Sequence, residues 1–588
     1  MTPFRILMAQ LNPTVGDIAG NSALIRAAWE AGRDAEASLV VTPEMAITGY
    51  PAEDLVLRPH FQQQAIQAIR DLAEITKDGG PALLVGGLWV QRQNLYNAAL
   101  LLDRGVIHYL HVKHHLPNYG VFDEKRVFTP GTEAAVVVVR GVRLGILICE
   151  DMWETDLAEH YADREAELLI CLNASPYTRH KAAQRVLRAQ ENVAVTNVPL
   201  IYVNQVGGQD ELVFDGGSFC IDFAGGEAQD PVMLPCFESC HAAVDFTANE
   251  EGAQLVLCPP LEGRVNPLRV GVGWVWEDSG AYDSLTPALS HRERERSSSS
   301  APLEETYRAL LLGLSDYCRK TGFRKVVLGL SGGIDSALTA VLAADALGPE
   351  QVHAVMMPSP YTGVDSKEDA RTLTDILGIR YHRLPIQQGM QWAADLLTPV
   401  LAPTSDTALS DLTKQNLQSR LRGLLLMAVS NQEGSLLLTT GNKSEMAMGY
   451  ATLYGDMCGG LNLLKDLYKT EVYALAHWRN GVSHIGVGKA GVIPERVLTR
   501  APSAELKPGQ TDQDTLPPYE LLDRLLYGMI EESKSVDRLV EEGFDRATVE
   551  RTAQMLIRAE YKRRQAAPGI KVSDLAFGRD WRYPIARG

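Results

Sequence analysis

No run of apolar residues in this chain approaches the roughly 18 needed to cross a bilayer, so no membrane span is expected. Cysteine is sparse: eight in 588 residues, with no CxxC pair, which argues against a disulfide scaffold and a structural zinc site. Positive charge is in deficit. Against 73 acidic residues stand 56 basic ones, and the formal net charge of −17 disfavours a nucleic-acid groove. Residues 1–11 hold one Arg and read as a strand, not as a signal or transit peptide. No internal repeat suggests a solenoid. The expectation left by these absences is a cytoplasmic globular chain. At 45% hydrophobic and 22% charged it is ordinary in composition, and its length predicts about two to four domains.

In the first half, β-rich runs at 4–10, 39–42, 82–90, 98–102, 106–110, 134–139, 144–148, 168–172, 200–204 and 217–222 are interspersed with helical patterns at 22–36, 60–75 and 181–197. This predicts an α/β unit with a large sheet content over 1–266. From residue 303 to 588 the pattern is helix-rich around strands at 325–330, 351–356, 381–384 and 435–439, which predicts a doubly wound parallel sheet. Between them, 267–302 reads as a linker. Its part 283–302 contains Ser284-Leu285-Thr286-Pro287, then His291-Arg292-Glu293-Arg294-Glu295-Arg296 and four serines, with no apolar face to bury, and reads as a flexible spacer.

The run ending Leu328-Gly329-Leu330 breaks into Ser331-Gly332-Gly333-Ile334-Asp335-Ser336 and resumes as a helical pattern. A strand, a small-residue loop and a helix start converge backbone N–H groups on an anion, and Asp335 adds a carboxylate for a metal. No Lys follows the glycines, so this is not the mononucleotide P-loop. The loop resembles the SGGxDS loop of the ATP pyrophosphatases, which split ATP into AMP and pyrophosphate to activate a carboxyl or carbonyl oxygen. That resemblance implies ATP contacts from Gly329, Leu330, Ser331, Gly332, Gly333, Ile334, Asp335 and Ser336.

In the first half three reactive residue types stand where β-runs end: Glu44 after Val40-Val41-Thr42-Pro43, Lys113 after 106–110, and Cys149 after 144–148. A thiol near pKa about 8.5 needs a base and a cation to act as a nucleophile, and Glu44 and Lys113 supply them. Together with Pro43-Glu44-Met45, Asn118-Tyr119-Gly120-Val121-Phe122-Asp123-Glu124 and Cys149-Glu150-Asp151-Met152-Trp153 they resemble the Glu–Lys–Cys triad of the nitrilase family. The resemblance implies an αββα sandwich acting on carbon–nitrogen bonds, with Glu124 as the family's second glutamate.

A nitrilase-type amidase followed by an ATP pyrophosphatase resembles the family of glutamine-dependent NAD synthetases over nearly the whole chain. That resemblance implies glutamine hydrolysis in the first half and channelled ammonia. In the second half it implies amidation of deamido-NAD through an adenylated nicotinate carboxylate, with ATP and Mg2+. Carried over residue by residue, it gives Tyr119, Ser175 and Lys181 to glutamine, Thr440, Lys469 and Ser503 to ATP, and Asn416, Arg420, Glu445 and Lys562 to deamido-NAD. Asp335 and Glu445 become metal ligands. It also implies a homo-oligomer, a dimer through the second half with an octamer as a larger assembly. Partners are small molecules, with neither nucleic acid nor membrane among them. Gly441-Asn442-Lys443-Ser444 mimics the end of a Walker motif with the wrong spacing, and Gly459-Gly460-Leu461-Asn462-Leu463-Leu464 departs from the family pattern around its Asn. Glutamine-fed ligases making GMP or asparagine carry other amidotransferase domains. A catalytically dead binding protein would need a damaged triad or loop, and tRNA modification fits poorly with the acidic balance.

Overall fold

The computed structural model describes residues 3–249, 252–258, 291–401 and 409–586, with backbone alone at 248–249, 252–253 and 291–301. The chain divides into two compact units, Met1–Arg269 and Val270–Gly588.

The first unit is built on two sheets. One runs in the order Gly252–Leu257, Cys240–Asn249, Phe4–Gln10, Leu39–Val41, Ala82–Gln91, Asn94–Asp103, Val106–Val112. The other runs Val232–Met233, Phe219–Ile221, Leu200–Asn204, Leu168–Asn173, Val142–Ile148, Val137–Val139. Ile6, Met8, Val41 and Leu84 of the first sheet pack against Ile146, Ile148, Ile170 and Val203 of the second. Helices Ile18–Asp34 and Pro59–Ile75 cover the outer face of the first sheet. Asp156–Ala162 and Lys181–Thr196 cover the second, completing an αββα sandwich. The central strands are apolar on both faces because both faces are covered. One hairpin escaped the sequence reading. Ala82–Gln91 and Asn94–Asp103 pair antiparallel through Arg92 and Gln93, both at positive φ (49° and 71°). Such a turn usually announces itself with Asn or Gly, and here it does not.

The second unit holds a parallel sheet in the order Arg380–Arg383, Val352–Met356, Val326–Gly329, Leu436–Thr439, Leu461–Asn462. The strand order reverses between Val326–Gly329 and Leu436–Thr439, and such a switch point opens a crevice at the carboxyl ends of both strands. Leu461–Asn462 is a strand the sequence reading left as an odd loop. Leu461, Leu463 and Leu464 are fully buried, so the departures there are core residues.

The helix His291–Thr321 begins inside the segment read as a flexible spacer. Nucleating a helix is costly and extending it is cheap, so a helix packed further along its length propagates back into a charged sequence without an apolar face. Residues 283–290 lie outside the described residues.

Candidate active sites

In the first unit the three reactive groups sit at strand ends, as their positions in sequence suggested. Glu44 follows Leu39–Val41, Lys113 follows Val106–Val112, and Cys149 opens a short turn directly after Val142–Ile148. Cys149 has φ 49°, a left-handed conformation that costs energy in a non-glycine residue and aims the side chain out of the strand's line. All three are buried. Lys113 Nζ donates to Glu44 Oε1 at 2.7 Å and to Glu124 Oε1 at 2.9 Å. Glu44 Oε1 also accepts from Asn97 Nδ2 at 2.7 Å, and its Oε2 from the Ala174 amide at 3.0 Å. Tyr50 donates to Glu124 Oε1 at 2.8 Å. Gly86 is required beside Glu44, since a Cβ there would lie 2.2 Å from Pro43 O.

Electrostatics sort the roles. Burial works against the Lys113 charge, but Glu124 and Glu44 outweigh it and keep the ammonium protonated well above its usual range. Burial pushes Glu124 up to about 7 against the pull of Lys113. Burial and the Glu44 charge push the Cys149 thiol up while Lys113 draws it down, and the balance holds the thiol well above its usual range.

Around this core, Tyr119 OH donates to both oxygens of Glu150 at 3.0 Å. Lys181 Nζ lies 3.8 Å above the Trp153 ring. Ser175 Oγ accepts from Arg185 Nε at 3.0 Å, and Arg185 is itself held by Asp215 at 2.8 Å. Burial raises Glu150, while Tyr119, Lys113 and Lys181 counter it, which places that carboxylate among three predicted site residues. Sequence reading missed Glu150, although it directly follows Cys149. It also missed Asn97 and Tyr50, whose partners are distant in sequence and carry no local signal.

In the second unit the Ser331–Ser336 loop leaves the Val326–Gly329 strand at the switch point. Gly332 needs its φ of 85°, and a Cβ there would lie 2.3 Å from Ser366 O. Ser331 Oγ and Ser336 Oγ lie 3.0 Å apart, and Ser331 Oγ accepts from the Gly333 amide at 3.2 Å. Helix Ile334–Leu347 then starts with no side-chain cap on its first amides, which leaves a positive dipole end facing the crevice. Asp335 accepts from Asn442 Nδ2 at 2.8 Å and pairs with Lys469 Nζ. Glu445 Oε1 lies 3.8 Å from the same Nζ. Burial and the Asp335 charge push Glu445 up to about 8, with Lys469 opposing. Two carboxylates forced together around one ammonium are a donor set that gains from a hard divalent cation.

Asn416 and Arg420, one turn apart on helix Asp411–Glu433, and the distant Lys562 meet on one segment, 449–453. Asn416 Oδ1 accepts from Thr452 Oγ1 at 3.0 Å, Arg420 Nε donates to Leu453 O at 3.2 Å, and Lys562 Nζ donates to Gly449 O and Ala451 O at 2.7 Å. Thr440 stands between strand Leu436–Thr439 and helix Lys443–Met448. Ser503 closes its own loop, donating to Gln510 O at 2.5 Å and accepting from the Glu505 amide at 3.2 Å. Lys443, in the Walker-like tetrapeptide, faces away from any phosphate role. It is fully buried and bound to Asp466 at 2.9 Å, Glu531 at 2.5 Å and Ser573 Oγ at 2.8 Å.

Comparison with known proteins follows the same division. The carbon-nitrogen hydrolase family fits residues 5–229 and the NAD synthase family residues 306–566. A glutamine-dependent NAD(+) synthetase of Rhodobacter capsulatus is 46% identical over 99% of this chain and 98% of its own length. That of Thermotoga maritima is 43% identical over 100% and 99%. The solved structure of glutamine-dependent NAD+ synthetase from Acinetobacter baumannii in complex with adenosine diphosphate is 36% identical, covering 100% of this chain and 98% of that one, with a TM-score of 0.72.

Proposed function

Because this chain belongs to the glutamine-dependent NAD(+) synthetase family, we infer that Glu44, Lys113 and Cys149 form its glutaminase triad and the Ser331–Ser336 loop its ATP site. The enzyme is a carbon–nitrogen ligase: it amidates deamido-NAD to NAD at the expense of ATP, with glutamine as nitrogen donor. The buried contact between Lys113, Glu44 and Glu124 carries the glutaminase assignment.

In the first unit Glu44 takes the Cys149 proton as sulfur attacks the glutamine carboxamide carbon. Lys113 faces the oxygen that gains negative charge. The C–N bond breaks, the proton returns to nitrogen, ammonia leaves, and water cleaves the thioester to glutamate. Tyr119, Glu150, Ser175 and Lys181 hold the substrate, with the Glu150 carboxylate suited to an α-ammonium group.

In the second unit a nicotinate carboxylate oxygen attacks the α-phosphorus of ATP. Pyrophosphate leaves into the loop amides and Lys469, and ammonia displaces AMP from the acyl adenylate. Thr440 and Ser503 belong to the ATP side, and Asn416, Arg420 and Lys562 to deamido-NAD. Asp335 and Glu445 would hold Mg2+, which supplies neutralising charge to the phosphates. Ammonia passes to this site without release to bulk water, where it would be protonated. Cysteines are few and stand without a disulfide among the described residues, which suits a cytoplasmic enzyme. We assign a homo-oligomer, dimeric through the second unit with an octamer as a larger assembly. Helix Gln387–Leu401 supports it: no residue of the helix is buried, and Trp392, Leu396 and Val400 are exposed at 64%, 56% and 74%.

The test is an assay of NAD formation from deamido-NAD, ATP and Mg2+ with glutamine or ammonium as donor. The wild type uses both. Cys149→Ala uses ammonium alone, and loss of both activities in the folded variant would sink the two-site reading.

A further inference from the structure

Arg500 carries no role in the assignments above, yet its guanidinium reaches into the phosphate loop. Its Nη2 donates to Gly332 O at 2.7 Å, the carbonyl one residue before the cap of helix Ile334–Leu347. Its other contact is a long ion pair, Nη1 to Asp369 at 3.8 Å. Asp369 is already engaged by Arg496, with two bonds of 3.0 Å, so Arg500 is not neutralised by a partner of its own. A guanidinium has five N–H donors, and most of those on Arg500 remain for a ligand.

The segment carrying Arg500 is strapped down on both sides. Before it, Arg496 binds Asp365 at 2.9 Å and Glu368 at 3.2 Å. After it, Glu505 accepts from Ser366 Oγ at 2.6 Å and the Gly363 amide at 3.3 Å. All these partners lie on helix Val364–Leu377 or its cap, the same turn whose Ser366 carbonyl crowds Gly332. The backbone is anchored too, since Tyr473 OH donates to Arg500 O at 3.3 Å. Burial pushes the Tyr473 phenol up, Lys469 and Arg500 pull it back and Asp335 pushes it further, so one ring lies among all three charges. Lys469 is bound to Asp335 and offset by it. That leaves Arg500, whose ion pair with Asp369 is long, as a cation at the loop with charge to spare for a phosphate.

We propose that Arg500 is a further substrate-binding residue, which grips the β,γ-phosphate portion of ATP and the departing pyrophosphate from the Gly332 carbonyl of the loop. A guanidinium suits this task because its fork can keep one arm on Gly332 O and offer the other to phosphate oxygens. The proposal rests on the ATP-site reading above.

Binding of inorganic pyrophosphate with Mg2+ to the full chain, measured by titration calorimetry, tests it alongside ammonia-dependent synthesis at varied ATP. Arg500→Ala should weaken pyrophosphate binding by about tenfold or more and raise the KM for ATP. The KM for deamido-NAD and glutamine hydrolysis should stay within about twofold of wild type. Arg500→Lys should recover part of the loss, having the charge without the fork. Wild-type affinity for pyrophosphate in Arg500→Ala overturns the proposal and leaves the ATP site standing. Equal losses in both variants, with a lowered melting temperature and no selectivity for ATP, overturn it in favour of a structural strap. A wild-type chain that binds no pyrophosphate overturns the loop assignment itself.

Discussion

Asp335 shows what one side chain decides. It stands in the first turn of helix Ile334–Leu347, takes a bond from Asn442 and the charge of Lys469, and shares that lysine with Glu445. Removing its charge leaves Lys469 without its partner and halves the carboxylate pair offered to a cation. Asp335→Asn should lower NAD synthesis by about a hundredfold or more with either nitrogen donor, while glutamine hydrolysis survives. Unchanged ammonia-dependent synthesis would remove Asp335 from the reaction. At this scale the sequence was most readable where residues cluster in order, as in the Ser331–Ser336 loop. It was least readable for Asn97, Tyr50 and Arg500, single polar residues whose partners are distant in sequence.

Elements set the precision of these sites. Strand Ala82–Gln91 passes beneath Glu44 so closely that Gly86 has no room for a side chain. Gly86→Ala must push the Pro43–Glu44 backbone aside, at a cost of about 1–3 kcal/mol. Glutamine-dependent synthesis should fall several-fold or more while ammonia-dependent synthesis persists, and an equal loss of both would show general unfolding instead. The C-terminal segment is fastened in another way. Asp466 is buried and accepts from the Val572 and Ser573 amides at 2.8 and 2.7 Å. Although burial works against its charge, Lys443 and Lys571 prevail and hold its pKa down to about 2. A depressed carboxylate stabilises the fold above its unfolded pKa, and the gain is lost as pH falls from about 3.8 towards about 2. The shift corresponds to roughly 2 kcal/mol. Asp466→Asn should therefore melt well below wild type at neutral pH, with the gap narrowing below pH 4. A gap independent of pH would show that the charge of Asp466 contributes nothing.

For the whole molecule, helix Gln387–Leu401 presents an exposed apolar face, and Leu412 and Leu424 of helix Asp411–Glu433 are exposed as well. Burying such a face against a second copy removes apolar area worth about 25 cal/mol per Å². Trp392→Glu combined with Leu396→Glu should shift the chain to a smaller species in light scattering after gel filtration. An unchanged mass would show that this face is not the interface.

Local pattern alone determined the two-part α/β architecture, most strand positions and the residues at strand ends. Strands covered on both faces read as apolar runs, and Gly, Ser, Asp, Glu, Lys and Cys interrupt those runs where chemistry is placed. Glu44, Lys113 and Cys149 could be singled out in this way, and so could Asp335. Tertiary structure alone decided which of these groups share a charge. Lys113 finds Glu44 across 69 positions and Asp335 finds Lys469 across 134. It also decided that Lys443 is a buried tie for the C-terminal segment and that Arg500 bonds the Gly332 carbonyl. The physical reason is that a charge is read from its residue type, whereas its partner is chosen by the fold. In a buried site the partner determines whether a proton stays or leaves.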